Sequence, residues 1–120
     1  MKKRHQAPRA WATMKLESQF QSKLVDELEV IFPGSIVKRN DPFDIQGFPD
    51  ITVYYKGKYA QLECKRSADA PHGPNQDYYV DLFNGMGGYA AFIYPENKKL
   101  IIEEMKRHFG MRSVFDGKCE

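Results

Sequence analysis

The sequence predicts an α/β domain with a small mixed sheet flanked by helices. Three observations carry this reading. Apolar residues recur every four positions near the start of the chain, which is a helical period. Two later segments alternate polar and apolar residues around a glycine turn, which is a strand pair. An apolar run then follows a second helical segment and reads as a buried strand.

Leu16, Phe20, Leu24, Leu28 and Phe32 fall on one helical face, with Val25 and Ile31 beside it. This predicts a helix over about 14–32, with Thr13 as its N-cap and Pro33-Gly34 as its end. Residues 1–12 are expected to form a flexible basic arm. Lys2, Lys3, Arg4, Arg9 and Lys15 all precede the first acidic residue, Glu17. Such an arm either follows a phosphate backbone or simply solubilises the chain. Residues 35–39 read as a short strand and 40–47 as a loop rich in Asp, Asn, Pro and Gly. In 50–56, Ile51, Val53 and Tyr55 share one face, and Asp50, Thr52 and Tyr54 share the other. Gly57 makes the turn. In 58–66, Ala60, Leu62 and Cys64 are expected inward, and Gln61, Glu63 and Lys65 outward. A second helix is expected over 75–86, closed by Gly87-Gly88. Residues 89–94 read as the buried strand. Leu100, Ile101, Met105, His108 and Phe109 suit a third helix. The domain is placed at 13–110, and the tail at 111–120 shows no pattern.

The 120 residues suffice for one domain with a single modest core. A net charge of +2 identifies no partner. No apolar run approaches the roughly 20 residues of a membrane span. The basic N-terminus has no apolar stretch after it, so it does not read as a secretory signal, and a cytoplasmic location with no membrane is expected. Cys64 and Cys119 suggest no disulfide framework.

The chemistry concentrates in Gly47-Phe48-Pro49-Asp50-Ile51 and Leu62-Glu63-Cys64-Lys65. Alternation puts Glu63 and Lys65 on one face of their strand, next to Asp50 on its neighbour. Two carboxylates about 4–5 Å apart repel by roughly 3–4 kcal/mol at an effective dielectric near 20. A cation, a raised pKa on one acid, or Lys65 as counter-ion must offset this. Mg²⁺ suits one or two carboxylates supplemented by water and a substrate phosphate. No paired Cys or His stands at zinc-ligand spacing. Asp50 and Glu63 are therefore the expected metal ligands, with the backbone carbonyl of Cys64 as a further candidate. Lys65 is expected to orient the attacking water and stabilise developing charge. Glu17 stands at the edge of the first helix's apolar stripe, where it either faces the site or is a solvated first-turn acid. Gln76 opens the second helix, where it either bonds a phosphate or a metal-bound water, or is exposed.

Glu17, Gly47-Phe48-Pro49-Asp50-Ile51, Leu62-Glu63-Cys64-Lys65, Gln76 and Gly87-Gly88-Tyr89-Ala90 resemble, in order and spacing, the PD-(D/E)XK nuclease superfamily. The resemblance covers about residues 16–94. It is nearest to the small VRR-NUC and Holliday-junction-resolvase-like members. It implies a restriction-endonuclease-like αβββαβ core and dependence on Mg²⁺ or Mn²⁺. It also implies Glu17, Asp50, Glu63 and Lys65 as catalytic residues, Glu17 among the metal ligands, and Gln76 as an auxiliary. The function implied is cleavage of branched, junction or flap DNA, in a homodimer, with a phage or prophage source. A nucleic-acid-binding module with a remnant site is the alternative, and a plain α/β interaction domain is a third reading.

Around this set, Lys38, Arg39 and Arg66, together with Lys56 and Lys58, are phosphate-contact candidates or plain surface charge. His72, in Pro71-His72-Gly73-Pro74, is the best placed of His5, His72 and His108. Of Tyr78 and Tyr79, one is expected to pack in the core, leaving Tyr79 as a candidate for base stacking. Asp41 and Asp44 are expected to cap turns, with approach to the metal as the alternative for Asp44.

Overall fold

The protein is described here from a computed structural model that covers residues 3–117, with side chains from Lys15 to Asp116. Lys2 and Cys119 lie outside the described residues. So do the side chains of Lys3, Arg4, His5 and Arg9.

Helix α1 (Lys3–Ile31) is followed by strands β1 (Ile36–Arg39), β2 (Ile51–Tyr55) and β3 (Lys58–Cys64), helix α2 (Gln76–Gly85), strand β4 (Tyr89–Ile93), helix α3 (Lys98–His108) and a short helix α4 (Val114–Gly117). The expected order of elements is found, up to the added α4. The four strands form one mixed sheet in the order β1-β2-β3-β4. β1 and β2 pair antiparallel, as do β2 and β3, while β3 and β4 run parallel. A parallel pair needs a crossover connection, and α2 supplies it.

Alternation decides what each sheet face buries. Ile51 pairs with Leu62 and Val53 with Ala60, so these side chains share one face. Leu24, Leu28 and Phe32 from the α1 region cover that face, together with Ile101, Ile102, Met105 and Phe109 from the α3 region. Phe32, Tyr55 and Phe109 meet edge to face. Fully burying side chains of this size stabilises the fold by about 1.5–3 kcal/mol each. α2 lies on the opposite face, where Phe83 packs against Tyr59 and Phe48.

The turns explain why the elements stop where they do. Lys56 and Gly57 both have positive φ, 52° and 75°, in the two-residue hairpin between β2 and β3. That combination gives the primed turn whose twist matches a hairpin. α2 ends in a Schellman motif: the Gly88 N–H bonds the Phe83 carbonyl, and Gly87 takes φ 93°.

Two expectations need correction. The first helix starts at Lys3, well before 14, so Thr13 lies within it and is not its N-cap. Ala7, Arg9, Ala10 and Ala12 favour helix, and this outweighs the weak start signal of one threonine. Leu16, expected on the buried stripe, is exposed. The second correction concerns the polar sheet face, expected outward. Thr52, Gln61, Glu63 and Lys65 are all buried, Glu63 to 5% and Lys65 to 7% exposure. Gln76 of α2 and the loop before it hold Glu63 and Lys65, and Asn40 holds Thr52, which bonds Gln61. Among the described residues no helix is long and apolar enough to cross a membrane.

Candidate active site

β2 and β3 bring the two central acids together. Ile51 pairs with Leu62, so Asp50, just before β2, falls beside Glu63 at the same end of the hairpin. Asp50 is held by its backbone surroundings: its Oδ2 accepts the Cys64 N–H at 2.8 Å, and its carbonyl accepts the Asn40 N–H at 2.8 Å. Both acids line a cleft of about 450 Å³ with Glu17, Ser18 and Gln21 of α1, Arg39 and Asn40 at the end of β1, Pro42, Cys64, Lys65 and Gln76. A roomier apolar groove of about 560 Å³ beside Ile31, Leu100 and Phe115 contains none of the expected site residues.

Gln76 connects the set. Its Nε2 donates to Glu63 Oε2 at 2.9 Å, and its Oε1 accepts from Lys65 Nζ at 2.6 Å. The Gly73 N–H also donates to that Oε1, at 2.8 Å. Lys65 Nζ donates a second bond, to the Pro71 carbonyl at 3.0 Å. Lys65 thus reaches Glu63 through Gln76, and its own hydrogen bonds go to neither carboxylate. The reading of Gln76 as an exposed first-turn residue is wrong, because the loop of residues 66–75 folds back over the sheet.

Electrostatics follow from burial and crowding. Burial pushes the Glu63 carboxyl up to about 9, helped by the Asp50 charge and opposed by Lys65. Burial also raises Asp50, while the Cys64 N–H, Glu63, Lys65 and Arg39 pull it back. The pair therefore holds a proton near neutrality, centred on Glu63. Burial, with the neighbouring acids, also raises the Cys64 thiol, which keeps it unreactive.

The donor set is compatible with a hard cation. Among the described residues Glu63 Oε1 is buried and has no hydrogen-bond partner, a position filled either by the proton that the pair holds or by a bound cation. Asp50 stands beside it and Glu17 lines the same cleft. Among the described residues, no group of three or more His, Cys, Asp or Glu side chains is already gathered at metal-binding geometry. Mg²⁺ does not require one, since it retains several waters and takes one or two carboxylates.

No family model matches the chain, and no curated protein or solved structure matches it either.

The remaining candidates are distributed as follows. Arg39 sits at the cleft, its Nε donating to Gln21 Oε1 at 2.8 Å and a terminal nitrogen to Ser22 Oγ at 3.2 Å. Lys38 and Arg66 are exposed and outside the cleft lining. The His72 ring stacks on Phe92 at 3.9 Å, and its Nδ1 pairs with Asp77 at 2.8 Å. Phe92 is the register partner of Glu63, so His72 stands next to the site without lining it. Tyr79 packs against Phe48 and Phe83, which leaves Tyr78 as the exposed ring of the two. Asp41 caps a turn by accepting the Phe43 N–H at 2.9 Å.

Sequence reasoning missed Asn40. Its Nδ2 donates to the Pro49 carbonyl and to Thr52 Oγ1, both at 2.9 Å, and Thr52 in turn donates to Gln61 Oε1. This part-buried chain ties the end of β1 to β2 and β3 next to Asp50. An asparagine directly after a strand was its one available signal, and that signal reads equally as a turn.

Proposed function

We propose that the chain is a divalent-metal-dependent endonuclease acting on DNA, of the PD-(D/E)XK kind. The observation that carries this reading is the convergence of Asp50, Glu63, Lys65 and Gln76 in one cleft, with Gln76 bridging an acid and the amine. Asp50 and Glu63 would hold Mg²⁺ or Mn²⁺, with Glu17 and the Cys64 carbonyl completing the protein's share. Such an ion supplies Lewis-acid neutralisation of phosphate charge and acidifies a water. Lys65, fixed by Gln76 and the Pro71 carbonyl, orients the attacking water and balances charge growing on the phosphate. Arg39, already braced by α1, contacts a neighbouring phosphate. The substrate is structured DNA such as a branch, junction or flap. A homodimer acts on it, since a symmetric cut of a four-way junction needs two sites. The setting is the cytoplasm of a phage-infected or prophage-bearing cell.

A DNA-binding module with a remnant site is the second reading. It is favoured by the lack of a gathered three-ligand cluster among the described residues. Incubating the protein with junction, flap, single-stranded and linear duplex DNA in Mg²⁺, Mn²⁺ or EDTA separates the two. Metal-dependent products support the nuclease; binding to every DNA form without products supports the module.

A further inference from the structure

The cleft is polar, and among the described residues that line it none is aromatic. Yet the residue next to its Pro42 wall is the most exposed large apolar side chain among the described residues. Phe43 is 94% exposed and directly follows Pro42, which lines the cleft. A lone exposed apolar residue is ordinary on a protein surface. Two features separate Phe43 from that background.

The first is the rigidity of its support. The Asn40 N–H bonds the Asp50 carbonyl at 2.8 Å and the Phe48 N–H bonds the Ile45 carbonyl at 3.2 Å, which ties the loop at both ends. Gly47 presses against the α2 entry so closely that an added Cβ would stand 2.4 Å from the Pro74 carbonyl oxygen. Phe48 is anchored between Tyr79 and Phe83. Within this frame Asp41 caps the tip, accepting the Phe43 N–H at 2.9 Å while its carbonyl takes the Asp44 N–H at 3.2 Å. The second feature is location. The loop is one wall of the cleft that holds Asp50, and Ile45, 42% exposed, lies two residues further along it.

An aromatic ring on a fixed turn beside a phosphodiester site can meet one part of a nucleic acid, the flat face of a base. In continuous duplex those faces are occupied by neighbouring pairs. At a flap, gap or junction they are free, and stacking them on an aromatic side chain is favourable whatever the base. We infer that Phe43 is a stacking platform for an unpaired base next to the cleaved phosphate, and that it sets the preference for branched or single-stranded DNA over duplex. The inference rests on the nuclease reading of the cleft and specifies its substrate class.

The test measures affinity of the full chain for a flapped duplex and for a continuous duplex of the same length, in EDTA, by fluorescence anisotropy. The wild type is expected to favour the flap. Phe43→Ala is expected to shrink that ratio by about 5- to 150-fold, the span of one base stack, and Phe43→Trp to keep it. A 2-aminopurine placed at the first unpaired position is expected to be quenched by the wild type and not by Phe43→Ala. Metal-dependent cutting by the wild type is scored in parallel. Cutting combined with an unchanged ratio in Phe43→Ala overturns this inference alone. A wild type that binds neither DNA form overturns it together with the nuclease reading.

Discussion

At the residue scale, the site combines two acids that oppose each other with a glutamine that connects one of them, Glu63, to an amine. Such an arrangement costs stability in the absence of a cation, and the cost depends on pH. Glu63 stays protonated to about 9 in the fold, against a usual value of 4.5. Between those values the folded chain binds more protons than the unfolded one, so stability falls as pH rises. Glu63→Gln, which keeps the shape and removes the titration, is expected to match the wild type in thermal melts at pH 5 in EDTA. At pH 8.5 it should exceed it by about 1–3 kcal/mol, a gain typical of removing a buried charge. An equal gap at both pH values contradicts the assignment. Gln76→Ala frees Lys65 and Glu63 from their shared partner. It is expected to lower the cleavage rate by about 10- to 100-fold, the usual cost of losing a residue that orients a metal ligand. Alternation along the strands made the company of Asp50, Glu63 and Lys65 legible in the sequence. The burial of that company was not legible, because it depends on a loop folding over the sheet. Gln76 showed the same gap, since a first-turn glutamine looks alike whether capped by solvent or by a neighbour.

At the scale of elements, glycines mark the boundaries most clearly. Gly87 and Gly110 sit at positive φ just beyond α2 and α3, and the end of α2 was readable for that reason. The start of α1 was not readable, because Ala and Arg favour helix and leave no break in the pattern near residue 14. Gly88 has a different role. A Cβ there would stand 2.3 Å from the Tyr59 ring, so the entry to β4 depends on the absence of a side chain. Gly88→Ala is expected to destabilise the chain by about 1–3 kcal/mol in urea titrations, the range for overpacking a filled site. Little change would mean that Tyr59 moves aside freely. The helix after 95 was legible from its apolar spacing, while its tie to α1 through the Lys98–Glu27 ion pair at 2.9 Å was not. Long-range partners of that kind leave no trace in local periodicity.

At the scale of the whole molecule, α1 gives an elongated outline, 61 × 27 × 24 Å. Its 29 residues run about 43 Å, longer than the sheet it covers. The arm expected over 1–12 is helical from Lys3 onward and carries Lys3, Arg4 and Arg9. Removing residues 1–12 also removes Lys2 and is expected to reduce the salt dependence of DNA binding. Four phosphate contacts correspond to a change of up to about 3–4 in the slope of log affinity against log salt. An unchanged slope would return the arm to the role of a solubilising tail. The central claim is that Asp50 and Glu63 form a metal-dependent cutting site, and one time course addresses it most directly. Flapped DNA is incubated with wild type or Asp50→Asn at pH 8 in Mn²⁺. Wild type is expected to give products that EDTA abolishes, and Asp50→Asn to lose about 10²–10³-fold, as for removal of a principal charge-stabilising group. Cutting by Asp50→Asn at the wild-type rate would contradict it.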